Sequence, residues 1–338
     1  MPRDAGTSPP RVFDAFLFAG EVELLETRLH VLRDVVDTFI IVEADVAHSG
    51  SYNRTFTFPS IRMREGVAPH LHKIRYRGIR AREEPQMRSC TDPKRHTTYS
   101  GAMRCEHYMR GSLLGEVLDA GAKATDILVS SDADEIPRPE YLRPFKDCKI
   151  FGPDSNLTTH PTVIILLAQM YMFNLGCHTG QNRWSYGPKV GAVFQFNTLR
   201  NEPWRGSNGM NFRRWGNSAE SGARWAASAW HFTNFMTADA FARKLAGFFH
   251  FRDYSAADRS STRLANLMVR CKSPYPDKYK RMRYQSPVFG PPSSDALSYI
   301  HENFPQLRAR PSPKRTVSSS DDKHGLVRVM LGTQGKDA

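Results

Sequence analysis

Two carboxylates spaced two residues apart, Asp132 and Asp134, follow an apolar run, Ile127-Leu128-Val129. The run has the length and branched residues of a buried strand, and polar residues close it. On an extended backbone the side chains of i and i+2 point to one face, so both carboxylates are expected to reach a single ion. Hard divalent cations such as Mn2+ and Mg2+ take a few carboxylate oxygens and keep positions open for phosphate oxygens. An open α/β sheet binds ligands just beyond the carboxyl ends of its strands, which is where this pair falls. The pair points to a metal–diphosphate site. The structural alternative is an acidic turn capping the next helix, and Asp-x-Asp after a strand is common by chance.

The elements that must hold the pair can be read on both sides of it. Residues 12–19 read as a first strand and 21–35 as an amphipathic helix, with Leu24, Leu25, Leu29 and Leu32 on one face. Residues 38–43 form a second buried strand and 72–76 a third, while 77–96 is a charge-rich loop. A long helix over 99–120 leads directly into the 127–131 strand. This alternation predicts an α/β fold with a Rossmann-like, mostly parallel sheet. Beyond the pair, 139–146 is expected as a short helix and 162–173 as a central strand. Residues 180–227, rich in Gly, Asn, Arg and Trp, suit long loops over a site. A strand at 229–233 and helices at 238–249 and 257–271 follow. A polar lead (1–10) and a basic, Ser-rich tail (306–338) are expected to be disordered, which leaves one catalytic unit at 11–305.

The segment SSDADEIPRPEYL (130–142) resembles the strand-and-loop signature of glycosyltransferase family 17, the bisecting β-1,4-N-acetylglucosaminyltransferases. The opening FDAFLFAGEVELLETRLHVLRDVVDTFIIVEA (13–44) and the later AWHFTNFMTADAFARKLAGFFHF (229–251) are similar to further blocks of that family. The resemblance spans residues 11–272. It implies a fold of the glycosyltransferase A type and transfer of N-acetylglucosamine from UDP-GlcNAc to a mannose of an N-glycan. It also implies metal assistance by Mn2+ (Mg2+ as the alternative), inversion to a β linkage, and a Golgi setting. Animal members carry an amino-terminal membrane anchor, and no such segment is seen here, so a cytoplasmic protein stays open. Two rival readings are a related UDP-sugar transferase with another donor or acceptor, and a catalytically silent glycan- or nucleotide-binding protein. The intact Asp132 and Asp134 count against the silent one.

Within this reading each site residue has an expected role. Asp134 is the direct metal ligand, and Asp132 binds the donor ribose or a metal-bound water. His231 is expected to supply a third ligand, as a histidine in the second half does in many metal-dependent transferases of this fold. Glu43, ending the second strand, faces the nucleotide edge as an acceptor for ribose or base donors. Arg110 pairs with Glu106 at i, i+4 as a helix-surface ion pair, or touches the donor diphosphate. An inverting transfer needs one general base; Glu220, in the loop-rich region, is the candidate. Glu202, Asp239 and Asp253 were weighed beside it, and capping accounts for Asp239. Glu135 is expected to face away from the pair by alternation, which leaves no nucleophile for a double displacement. Trp184, Trp204 and Trp215 fit sugar stacking or core packing equally.

The bulk composition narrows the partners. Of 338 residues, 47 are basic and 34 acidic, a net charge of +13, which suits an anionic ligand. The basic residues are scattered and no nucleic-acid-binding motif appears, so a UDP-sugar donor and a glycan or glycoprotein acceptor are the expected partners. No apolar run approaches the roughly 20 residues of a membrane-spanning helix. Five cysteines (Cys90, Cys105, Cys148, Cys177, Cys271) lack zinc-site spacing and leave the redox compartment open. Two sequons, at Asn53 and Asn156, would be glycosylated only in a secretory lumen.

Overall fold

The computed structural model describes residues 8–47, 54–91, 99–148, 163–178, 187–200, 224–247, 254–272 and 295–308. Its strands are β1 (Val12–Leu17), β2 (Thr38–Ala44), β3 (Ile74–Ile79), β4 (Ile127–Asp132), β5 (Glu135–Pro137), β6 (Ile164–Met172), β7 (Lys189–Ala192) and β8 (Arg224–Thr233). The helices are α1 (Val22–Leu32), α2 (Phe58–Ile61), α3 (Tyr99–Asp119), α4 (Pro139–Asp147), α5 (Val193–Arg200), α6 (Ala238–Gly247), α7 (Ser261–Val269) and α8 (Asp295–Asn303). The strands form one sheet in the order β3-β2-β1-β4-β7-β6-β8-β5. Only β7 and β5 run against the rest. This is the Rossmann-like, mostly parallel sheet of the glycosyltransferase A type.

Parallel strands need crossovers, and the helices supply them on both faces. Alternation along β1 sends Val12 and Phe16 to one face, where they join Leu24, Leu25 and Leu29 of α1, Phe145 of α4 and Ile300 of α8. It sends Phe13 and Ala15 to the other, against Met109, Leu113 and Val117 of α3. A smaller core joins the end of β6 to α6 and α7 through Phe173, Phe241, Leu245 and Leu264.

The sheet is not flat. β5 lies four strand spacings from β4 in the hydrogen-bonding order, about 19 Å on a planar sheet. Yet only Ala133 and Asp134 separate the two strands, and three Cα steps reach no more than about 11 Å. The second half of the sheet must therefore curl back, which brings β8 and β5 beside the carboxyl end of β4. Glu135 of β5 pairs with His231 of β8.

Two expectations need correction. Residues 180–227 are not all loop, since β7 and α5 lie within them and the buried Lys189-Val190 register joins β7 to β6. The packed part of the chain continues past 305. Leu307 is 3% exposed and its carbonyl accepts the Leu175 amide at 3.0 Å. The unanticipated α8 docks on α1, with Tyr299 stacked on His30 at 4.1 Å. On a point the sequence left open, four cysteines are paired, as Cys90–Cys105 and Cys177–Cys271, and Cys148 is free. Pairing across 94 residues needs the tertiary fold to bring the partners together. Among the described residues no helix is long and apolar enough to cross a membrane.

Candidate functional site

The Asp132–Asp134 pair sits where the parallel strands end, but not on an extended backbone. β4 stops at Asp132, Ala133 and Asp134 form a turn, and β5 starts at Glu135. The turn rather than strand alternation sets where the two side chains point, and the Asp132 charge still acts to raise the Asp134 carboxyl. Each carboxylate meets its own partners.

Alternation does hold up to Asp132. Val129 and Ser131 face the α1 side of the sheet, so Asp132 faces the α3 side. There its Oδ1 lies 2.6 Å from a terminal guanidinium nitrogen of Arg110. Arg110 in turn donates its Nε–H to Glu106 Oε1 at 2.8 Å. The expected surface pair of Arg110 and Glu106 is thus a largely buried bridge, with side chains 12% and 7% exposed. Burial opposes the charge of Arg110, but Asp132 and then Glu106 outweigh it and raise its pKa. A guanidinium so held stays cationic at every relevant pH.

Asp134 is met from the second half of the chain. Its Oδ2 lies 3.6 Å from Nε2 of His231 on β8 and 3.9 Å from Nζ of Lys244 on α6. Burial pushes the Asp134 carboxyl up, yet His231 and then Lys244 overcome this and hold it below the ordinary carboxylate range. Asp134 is therefore ionised at neutral pH and apposed to an imidazole nitrogen.

Both carboxylates hang on a turn that is itself tied down. The backbone amide of Asp132 donates to Glu135 Oε2 at 3.2 Å, and the Phe232 amide donates to the Asp134 carbonyl at 2.8 Å. Glu135 does not face away, as alternation implied; it is 1% exposed and folds back over the turn. Beneath the turn lies Arg28 of α1, fully buried, paired with the equally buried Asp14 of β1 at 2.5 and 2.6 Å. Removing one member of such a pair strands a buried charge at a cost of about 3–5 kcal/mol.

Glu43 has a different task from the expected one. Its carboxylate, 1% exposed, accepts the amides of Thr57 and Phe58 at 2.7 and 3.1 Å and the Tyr76 hydroxyl at 3.1 Å. Those amides open α2, where the first N–H groups lack helical partners and an anion satisfies them. Glu43 is an internal cap, turned into the fold rather than toward a nucleotide. Glu220, Glu202, Asp253, Trp184, Trp204, Trp215, Asn53 and Asn156 lie outside the described residues. Asp239 stands in the first turn of α6, where Thr237 Oγ1 accepts the Ala240 amide.

The fit of this site to a divalent cation can be judged from its donors. Asp134 and His231 offer an anionic oxygen and an imidazole nitrogen side by side, a pair that suits Mn2+. Asp132 is turned to Arg110, which suits contact with ribose or an ordered water better than direct ligation. Among the described residues no three His, Cys, Asp or Glu gather closely enough to hold an ion by themselves. An ion beside Asp134 and His231 would have to take its other ligands from water or phosphate.

Arg28, Asp14 and Lys244 were not singled out in the sequence. The first two carried a signal. Asp14 interrupts the apolar strand VFDAFL, and Arg28 sits between Leu24, Leu25 and Leu32 at helical spacing on the apolar face of α1. Charges of opposite sign in two adjacent buried faces call for one another. Lys244 carried none, since a lysine on an amphipathic helix is ordinary.

Comparison with known families gives one result. The sequence model described as Glycosyltransferase family 17 matches residues 4–190, more than half of the chain. That stretch contains Asp14, Arg28, Arg110, Asp132 and Asp134 and ends before His231 and Lys244. No curated protein matches the chain significantly.

Proposed function

The chain belongs to glycosyltransferase family 17, and from that premise we propose that it transfers N-acetylglucosamine from UDP-GlcNAc to a mannose of an N-glycan, with inversion and with Mn2+. The observation that carries this reading is the buttressed Asp132–Asp134 turn at the carboxyl edge of the sheet, with a cation set against each carboxylate.

The chemistry asks for a charged diphosphate to leave while positive charge builds on the anomeric carbon. A divalent cation bound there would neutralise the phosphates as a Lewis acid. Asp134 and His231 would hold it, and Asp132 would orient the donor through ribose or an ordered water. Arg110, paired with Asp132, adds fixed positive charge at the edge the diphosphate approaches. Lys244 does the same from α6, with its side chain 31% exposed. Such preorganised charge accelerates the step because nothing has to reorient as the leaving group forms. The acceptor hydroxyl requires a general base, and Glu220 is the proposed one. Direct displacement from the α-linked donor would give a β linkage, and the neighbouring carboxylate of Glu135 accepts the Asp132 amide rather than facing a donor.

Two paired disulfides favour an oxidising compartment, as in the secretory lumen where N-glycans are built. UDP release measured over a panel of UDP-sugars, with and without Mn2+, tests the proposal. Turnover with UDP-GlcNAc that depends on metal and on a mannose-terminated glycan is expected. Release only with another UDP-sugar would replace the donor, and none with any donor would leave a binding protein.

A further inference from the structure

One ion pair lies directly under the acidic turn and touches no solvent. Arg28 and Asp14 are both fully buried. A buried ion pair is a poor way to gain stability, because apolar residues of the same volume do as well or better. Its placement accounts for it. Every N–H of the Arg28 guanidinium has an acceptor. Nε–H goes to Asp14 Oδ2 at 2.6 Å. Nη2 donates to Asp14 Oδ1 at 2.5 Å and to Ser131 Oγ at 2.6 Å. Nη1 donates to the carbonyls of Asp132 at 3.0 Å and Glu135 at 2.9 Å, with Ala133 at 3.4 Å. The ring of Phe16 closes the group from one face, 4.4 Å from the guanidinium carbon.

Asp14 therefore fixes the plane of the guanidinium, and the guanidinium fixes the carbonyls on both sides of Asp134. Two carbonyls three residues apart, drawn to one nitrogen, define how tightly the turn closes and where its side chains emerge. The geometry points to Arg28 as a positioning residue. Held by Asp14, it sets the Asp132–Glu135 turn in its reactive shape before any ligand arrives, and so lowers the donor and metal concentrations the enzyme needs. Only arginine can do this. Lysine keeps the charge that neutralises Asp14 but has three donors from one point, and cannot span Asp14, Ser131 and two carbonyls at once.

The kinetic half of the test rests on the proposed transferase function; the structural half does not. In Arg28→Lys, amide hydrogen exchange is read for Asp132 and Phe232, whose N–H groups bond to Glu135 Oε2 and the Asp134 carbonyl. Exchange at both is expected to rise at least tenfold over that of β2 amides in the same protein. The UDP-GlcNAc and Mn2+ needed for half-maximal rate should rise about tenfold, the loss of one or two charge-assisted hydrogen bonds. Ile300→Ala, in the α8 core, should lower the melting temperature without moving either constant or those two amides. Unchanged exchange in folded Arg28→Lys overturns the assignment whatever the substrate proves to be. Absence of turnover in the wild type would instead sink the transferase reading and leave the exchange result to stand alone. Where Arg28→Lys does not fold, Ser131→Ala decides. It removes one acceptor and should raise exchange of the Asp132 amide about threefold, and no change in it likewise overturns the assignment.

Discussion

Asp132 and Asp134 are two residues apart, yet opposite halves of the sheet answer them. Asp132 is met by Arg110 from α3, in the all-parallel half built of β3, β2, β1 and β4. Asp134 is met by His231 and Lys244 from β8 and α6, in the curled half that contains both reversed strands. The contacts of the first half are short and buried: 2.6 Å to Arg110, 2.8 Å onward to Glu106, and the Arg28 fork below. Those of the second are longer, at 3.6 and 3.9 Å, and Lys244 is partly exposed. The first half thus fixes the acidic turn, and the second meets Asp134 through looser contacts. The family match, at residues 4–190, takes in the first half whole and stops short of His231 and Lys244 in the second.

Substitutions that split the halves would break or sharpen this contrast. Asp134→Ala should cause the largest loss, roughly 10²–10³-fold or more in turnover, as for removal of a central electrostatic group. Its far-ultraviolet dichroism should be unchanged, because the residue lies in a turn; retention of most activity by the folded variant would remove the assignment. Arg110→Gln is expected next. Loss of a charge-assisted contact worth about 1.5–3 kcal/mol raises the half-saturating donor concentration about 10- to 100-fold. A rate that falls with no change in donor affinity would show that Arg110 serves the fold alone.

His231→Ala should act on the metal rather than the donor, raising the Mn2+ required by roughly tenfold, in the range seen when a metal site loses support. An unchanged metal titration would make His231 a core histidine. Lys244→Gln is expected to cost less, about threefold in donor affinity, and the loss should shrink with added salt because its tip reaches solvent.

The smallest effect belongs far from the turn. Glu84 accepts from the Tyr108 hydroxyl and from Arg77, which in that order hold its carboxyl below the ordinary value. A group depressed in the folded state stabilises above its unfolded pKa, and that contribution disappears as pH falls through the folded pKa. Glu84→Gln should therefore lower the melting temperature by about 2 °C at neutral pH. The difference from wild type should close below the normal carboxylate range. A gap that persists at pH 3 would assign the effect to packing.

Local pattern determined much of this protein from sequence. Hydrophobic periodicity set β1, α1, β2, α3 and β4 within a few residues, since a buried face must repeat at the period of its element. The run before the acidic pair was legible as a buried strand, and the pair does fall at the carboxyl end of that strand. Tertiary structure decided who meets whom. Glu43 became an internal cap because the chain after β2 returns its α2 amides to that carboxylate, a contact across 14 residues that no periodicity encodes. Cys177 and Cys271 found each other through packing of α7 on the end of β6. The turn at Ala133 and Asp134, the curl that brings His231 to Asp134, and the reach of Arg28 to carbonyls more than 100 residues away follow from how the whole sheet packs and curls. Sequence names the charges; which of them stand within 4 Å depends on a path through space that adjacent residues do not carry.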